Sequence, residues 1–324
     1  MNDVPINLIE FINSGNKFIV AGHREPDGDC VGSQLVLCSV LERLGKIAVP
    51  CSAGPFKRTE IKSYEKYFMS TIDDKTKQGA RVIVVDCTSI DRTGSLEPAL
   101  KGLPVAQIDH HKHSADESTI QGPVYVNEKA PSTTVLILNL IDALGATLQA
   151  EEAELLLFGL CTDTGFFRHV DCENALAFET AARLTRAGAN PKKVFQAIHG
   201  GKSLNSRLLL ARILGRAESH FNGKLILSYE EYEESVQFGM ESRDSDTLYQ
   251  LIQSVSGVEA IAIIRQETPE NCTIGLRSLD KVDVGAIARK FGGGGHLNAS
   301  GVSVSGTITE IRKKLLEIFP LHLS

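Results

Sequence analysis

Apolar positions along the chain fall into two rhythms. KFIVAGH (17–23), IAVPC (47–51), RVIVVDC (81–87) and PVAQIDHH (104–111) are short, nearly continuous apolar runs, the pattern of strands covered on both faces in a parallel sheet. Elsewhere in the first half apolar residues recur at helical spacing. VGSQLVLCSVLERLG ends at Gly45, a residue suited to a left-handed helix stop, and EEAELLLFGL reads as a further helix. Ser132 is placed to cap a helix running to Gly145, and Asp171 to cap one ending near Gly188. This alternation predicts an α/β fold, a doubly wound and mainly parallel sheet, over residues 1–190.

From about 188 to 220 the pattern changes to two helical stretches interrupted by Gly200 and Gly201, and residues 191–219 are expected to form a helical linker. Residues 220–324 predict a smaller α+β domain. LILSY reads as a strand, SDTLYQLIQSVSG as a helix, and VEAIAIIRQE and NCTIGLRSL as a hairpin across a Thr-Pro-Glu turn. VDVGAIARKFGGGGHLNASGVSVSG reads as a helix, a four-glycine loop carrying His296 and a strand, before a terminal helix.

Composition narrows the classes. With 324 residues, 42% of them hydrophobic, the chain has material for two cores rather than one overgrown core. No apolar run is long enough to span a bilayer, and the amino terminus lacks a basic region followed by an apolar stretch, so a cytoplasmic protein is expected. The seven cysteines show no C-x-x-C spacing, which points to neither a disulfide framework nor a structural zinc site; Cys30, Cys87 and Cys161 are expected to be small buried hydrophobes. The net charge of −6 comes without a long basic run. A track for long nucleic acid is therefore not expected, and any nucleic-acid substrate should be short.

The chemistry concentrates where strands end. KFIVAGH runs into His23, RVIVVD into Asp86, and PVAQIDHH into Asp109, His110 and His111. In a parallel sheet such ends share one edge, where ligands of open α/β sheets bind. Asp27 and Asp29 follow His23 in a Pro-Asp-Gly-Asp turn, and Asp163 lies in CTDTGFFRH. Carboxylates gathered in one crevice repel each other unless a cation neutralises them. Imidazole and carboxylate donors without thiolate suit Mn²⁺ or a similar divalent ion, and two such ions sharing one carboxylate would serve phosphoester hydrolysis. Asp91, Asp142 and Asp171 lack the strand-end placement and are assigned to loops, surfaces or caps.

GHREPDGDCVGS, VVDCT, IDHH and CTDTGFFRH, in this order, resemble the four motifs of DHH-family phosphoesterases. The resemblance implies one metal held by His23, Asp27 and Asp86 and a second held by Asp29, Asp86, His110 and Asp163, with Asp86 shared. It makes Asp86, His110 and His111 the catalytic group, with His111 behind the metal ligands and Asp109 orienting a neighbour.

Four successive glycines let backbone amides approach an anion closely, although the same run can simply stop a helix. FGGGGHLNASG, preceded by GLRS and DVGAIA, resembles the DHH-associated substrate-binding domain. That implies phosphate contacts from Arg277, Ser278, Gly293, Gly294, Gly295 and His296, with Arg168 beside Asp163 as a further candidate. Three positions depart from the family pattern: Ser114, where Asn is common, Pro131, where a small residue is common, and Ser300 in place of a frequent Ala.

The resemblance implies a two-metal phosphodiesterase acting on very short oligoribonucleotides or linear dinucleotides such as pApA and releasing nucleoside monophosphates. Alternatives are a 3′-phosphoadenosine 5′-phosphate phosphatase, a cyclic di-AMP phosphodiesterase and a nucleotide sensor without turnover. Neither a membrane nor long nucleic acid is expected as a partner, and a homodimer stays open.

Overall fold

The computed structural model describes residues 4–112, 120–279 and 281–323, so Ser114 lies outside the described residues. Contacts between Cα atoms divide the chain into two compact units, Met1–Gly201 and Lys202–Ser324.

The first unit runs α1 (Ile6–Asn13), β1 (Lys17–Ala21), α2 (Gly28–Arg43), β2 (Ile47–Cys51), α3 (Asp74–Lys77), β3 (Arg81–Val85), α4 (Glu97–Leu100), β4 (Val105–Asp109), β5 (Val124–Val126), α5 (Thr133–Ala143), α6 (Ala150–Asp163), α7 (Leu176–Arg186) and α8 (Pro191–His199). Its five strands pair in parallel in the order β2-β1-β3-β4-β5. The apolar runs are continuous because both faces of this sheet are covered. Phe18, Val20, Ile83, Val85, Ala106 and Ile108 pack with residues of α2, α5 and α6 on one face, while Ile19, Ala21, Val82 and Val84 pack with Leu96 and Leu100 on the other. The chain steps outward from β1 to β2 and then crosses to β3 on the other side, so the strand order reverses between β1 and β3. In open α/β sheets that point opens a crevice beyond the strand carboxyl ends.

Helices α2 and α6 approach closely because glycines line their contact. A Cβ on Gly159 of α6 would stand 2.5 Å from Thr134 Cγ2 and 3.1 Å from the Asp29 Cα, and one on Gly32 of α2 would stand 2.8 Å from the Leu155 carbonyl oxygen. Overpacking of this kind costs about 1–3 kcal/mol. Gly159→Ala is therefore expected to lower unfolding stability by about 2 kcal/mol, read as a lower urea midpoint with an unchanged slope.

Two of the expected caps are not made as the sequence implies. Ser132 does stand before α5, but its hydroxyl pairs with that of Thr134 and takes no helix amide; Asp29 of α2 does so instead, accepting from the Thr133 and Thr134 amides at 2.6 and 2.9 Å. Asp171 accepts from the Glu173 amide in a turn that precedes α7, whose cap position is Ala175. In the first case a tertiary carboxylate has displaced the local one. Within the stretch 191–219, α8 buries Val194 in the first unit's core, while α9 (Leu204–Gly215) buries Leu209 and Ile213 in the second unit. The helical stretch is thus divided, with one helix packed in each unit.

The second unit continues after α9 with β6 (Glu218–His220), β7 (Leu225–Glu230), α10 (Tyr232–Phe238), α11 (Ser245–Gln253), β8 (Ala260–Thr268), β9 (Asn271–Ser278), α12 (Val284–Lys290), β10 (Gly294–Gly295), β11 (Ala299–Ser305) and α13 (Ile308–Ile318). Its mixed sheet has the order β10-β11-β9-β8-β7-β6, with the β8–β9 hairpin at its centre. The glycine run divides its work. Gly292, at φ +81°, stops α12, and the Gly293 amide reaches back to the Ala288 carbonyl at 3.0 Å. Gly294 and Gly295 then pair with Gly301 and Ser300.

Candidate metal centre

Strand ends β1, β3 and β4 deliver His23, Asp86 and His110 to the crevice at the reversal point, and two helix termini complete it. Asp27 caps α2, accepting from the Asp29 and Cys30 amides at 3.1 Å, and Asp29 follows within the first turn. Asp163 is the last residue of α6, where the negative end of the helix dipole disfavours a carboxylate.

The two histidines present matching faces. His23 Nδ1 donates to the Arg24 carbonyl at 2.8 Å, and His110 Nδ1 donates to the Ala130 carbonyl at 3.2 Å. A ring nitrogen that donates to a carbonyl leaves the other nitrogen as the lone-pair side of the neutral ring, the arrangement of metal-ligating histidines. His23 Nε2 lies 3.5 Å from Asp86 Oδ2 and 3.9 Å from Asp27 Oδ1. His110 Nε2 lies 3.3 Å from Asp163 Oδ2, 3.7 Å from Asp86 Oδ1 and 3.9 Å from Asp29 Oδ2. It is buried and has no hydrogen-bond partner among the described residues. Lone pairs facing lone pairs call for a cation. Asp86, almost wholly buried, offers one oxygen to each histidine, so a single carboxylate faces two adjacent nests.

Protonation follows the same logic. Burial, and then the charges of Asp86, Asp163 and Asp27, push the Asp29 carboxyl well above the carboxylate range, with the Thr134 amide opposing. Burial likewise pushes Asp163 up to about 6, opposed by His110 and His111 and reinforced by Asp86 and Asp27. Burial alone would lower the His23 value, but Cys30, Asp27 and Asp86 raise it far above that of free histidine, so a proton there stands in for a cation. Burial would raise Asp27; the facing His23 brings it down to about 2. Burial raises the thiols of Cys30, Cys87 and Cys161 to about 11, 12 and 12, so these side chains stay neutral. The Cys30 sulfur nonetheless lies within 4.8 Å of donor atoms of His23 and Asp86.

Matches to two family models follow the division of the chain: the DHH family N-terminal domain over residues 17–160, and the DHHA1 domain over residues 222–319. The chain carries a DHH-family domain followed by a DHHA1 domain. It is 29% identical to a bifunctional oligoribonuclease and PAP phosphatase NrnA of Thermus thermophilus, over 89% of this chain and 84% of that one. It is 27% identical to the cyclic-di-AMP phosphodiesterase PdeA of Listeria monocytogenes over 95% of its own length, but spans only 48% of that relative. An exopolyphosphatase-related protein of Bacteroides fragilis shares the fold at TM-score 0.77, with 23% identity and coverage of 97% and 96% of the two chains. DHH-family homologues are hydrolytic enzymes that use divalent metals.

His111 Nδ1 and its amide both bond Asp109 Oδ1, at 2.9 and 3.1 Å, and that hydrogen bond raises the His111 value. Arg168 is exposed and donates to the Gly165 carbonyl at 3.1 Å. Gly165, Phe166 and Phe167 all have positive φ, as does Asp86 at +55°. For residues with a Cβ such conformations cost about 1–3 kcal/mol each and persist only where their surroundings hold them. Asp142 pairs with Arg183 at the surface.

Sequence reasoning passed over Thr133. Its hydroxyl donates to Asp86 Oδ1 at 3.0 Å while its amide holds Asp29, so it orients two carboxylates at once; only a threonine next to an expected cap marks it in the sequence. Thr133→Val is expected to weaken divalent-metal affinity by about 10- to 100-fold. Thr133→Ser should stay near wild type by calorimetric titration.

In the DHHA1 unit, Arg277 on β9 faces Ala299 across the sheet, and the His296 amide bonds the Ala299 carbonyl at 2.8 Å. The arginine and the glycine loop are thereby neighbours. The Arg277 guanidinium lies over the Tyr249 ring at 4.6 Å, and His296 is exposed. Ser278 is buried and its hydroxyl is turned to the Leu297 carbonyl and the Asn298 side chain, both at 3.3 Å. Ser300 donates to the Val284 carbonyl at 2.7 Å, tying β11 to the start of α12.

Proposed function

We propose that this chain is a two-metal phosphodiesterase that hydrolyses very short oligoribonucleotides or linear dinucleotides such as pApA to nucleoside monophosphates. The observation that carries the reading is Asp86, with one carboxylate oxygen toward His23 and the other toward His110. His23, Asp27 and Asp86 would hold one ion, and Asp29, Asp86, His110 and Asp163 the other. Carboxylate and imidazole donors favour Mn²⁺ over softer thiolate-seeking ions. The bound ions would supply Lewis-acid neutralisation of phosphoryl charge and a more acidic water.

The chain's own residues set the geometry. The Nδ1–H bonds of His23 and His110 to backbone carbonyls fix both rings, and the Thr133 hydroxyl fixes Asp86. His111, aligned by Asp109 and partly exposed, can donate to a phosphoryl oxygen. Arg168 would contact a phosphate at the crevice, and in the DHHA1 unit Arg277, Gly293, Gly294, Gly295 and His296 would bind one. Ser278, with its hydroxyl committed to the 297–298 loop, would act by holding that loop.

Similarity over most of the length of an oligoribonuclease and PAP phosphatase supports the short-nucleotide substrate. Similarity to a cyclic-di-AMP phosphodiesterase over 95% of this chain makes cyclic di-AMP the alternative substrate to be tested. The name of the first relative also favours 3′-phosphoadenosine 5′-phosphate as a second substrate. The test is chromatography of products after incubation with Mn²⁺ and, separately, pApA, a five-nucleotide RNA, 3′-phosphoadenosine 5′-phosphate and cyclic di-AMP. Mononucleotides from pApA and the RNA are expected, with AMP and phosphate from the third. No turnover of any of them, with metal occupancy confirmed, would overturn the reading.

A further inference from the structure

The loop that follows Asp163 carries two phenylalanines in left-handed backbone conformations, Phe166 and Phe167. Each supports a ring from a neighbouring helix of the same unit. Phe167 stacks on Phe178 of α7, with centroids 5.1 Å apart and planes at 23°. Phe166 meets Phe195 of α8 edge-on at 5.2 Å and 88°, and Phe195 in turn contacts the His199 ring at 4.6 Å. The inner two rings pack against the core, but the outer two are exposed, Phe178 at 55% and Phe195 at 49%.

Burying an aromatic ring is strongly favourable, yet these two rings, each braced by a phenylalanine in a left-handed conformation, stay about half exposed and free to take a further ring. The same loop exposes Arg168 and His169. Flat apolar faces beside a guanidinium and an imidazole, a few residues from a carboxylate of the crevice, match a nucleotide: stacking for the base, charge and hydrogen bonds for its phosphate. Inorganic polyphosphates offer the rings nothing.

We infer that Phe178 and Phe195, braced by Phe167 and Phe166, form a nucleobase-stacking surface that makes the DHH unit prefer nucleotides over base-free phosphodiesters. The inference rests on the short-nucleotide reading and specifies how that substrate is recognised. Stacking is tolerant of base identity, so purine and pyrimidine dinucleotides should both gain from it.

The experiment compares kcat/KM for pApA with that for the same dinucleotide lacking both bases, in wild type and in Phe178→Ala, Phe195→Ala and the double variant. The ratio of the two substrates is expected to fall about 10-fold per ring, mainly through KM. Phe178→Leu and Phe195→Leu keep apolar bulk and should lose the preference, whereas the tyrosine variants should keep it; a purely structural role would be rescued by leucine. Fluorescence of 2-aminopurine placed at either base should be quenched on mixing with wild type and not with the double variant. An unchanged ratio in all variants, with wild type hydrolysing pApA, would overturn the stacking surface alone. Hydrolysis of neither dinucleotide by wild type would overturn the nucleotide reading and the stacking surface together.

Discussion

Asp86→Asn is expected to lower kcat/KM for pApA by about 10³-fold or more while leaving the fold intact. The carboxylate faces two histidine nests with its two oxygens, and asparagine can present an acceptor to only one of them. Losing one shared cation removes several kcal/mol of charge stabilisation, and each 1.36 kcal/mol is about tenfold in rate. The backbone does not resist the change, since asparagine is among the few residues that tolerate the left-handed conformation found at this position, φ +55°. Steady-state kinetics with parallel metal titration checks this; a variant within about tenfold of wild type would remove Asp86 from the shared position.

Removal of divalent cations is expected to lower the melting temperature, and more so at pH 7.5 than at pH 5. In the metal-free chain Asp163 is pushed up to about 6, whereas an unfolded carboxyl titrates near ~3.9. Its proton therefore stabilises the folded state fully below the unfolded value, and that contribution is lost as pH rises through about 6. His23, raised well above its ordinary value, acts in the same direction: its contribution is complete below the unfolded histidine pKa of ~6.5 and drains away above it. Asp27, brought down to about 2, contributes above the carboxyl range and is constant across this window. Metal binding reverses the trend because protons compete with cations for the same donors. The gain in melting temperature from EDTA to saturating Mn²⁺ should be larger at pH 7.5 by about 5 °C. Calorimetry showing an equal or larger gain at pH 5 would contradict this.

The strand ends were legible because a sheet covered on both faces writes itself as unbroken apolar runs, and His23, Asp86 and His110 sit directly after them. Asp163 obeys a different rule. It ends a helix, and only its resemblance to a known motif connects it to the others, since periodicity says nothing about where a helix terminus will dock. Capping was read locally and fails where tertiary structure intervenes: the amides behind Ser132 belong to Asp29, more than a hundred residues earlier in the chain. The same long-range contact explains why Thr133 was passed over. The stretches on either side of Gly200 and Gly201 each read as helix, and nothing in their spacing names the core each joins, so their membership of two different cores becomes visible only once packing is known. Phe178 and Phe195 give no periodic signal at all, because their partners come from a loop whose conformation the sequence does not announce.

The measurement that bears most directly on the two-cation crevice is anomalous diffraction from crystals grown with Mn²⁺. Two peaks are expected about 3.5–4 Å apart, one against His23, Asp27 and an Asp86 oxygen, the other against Asp29, His110, Asp163 and the second Asp86 oxygen. A single peak, or two peaks that do not share Asp86, would contradict the shared-carboxylate centre on which the proposed chemistry depends.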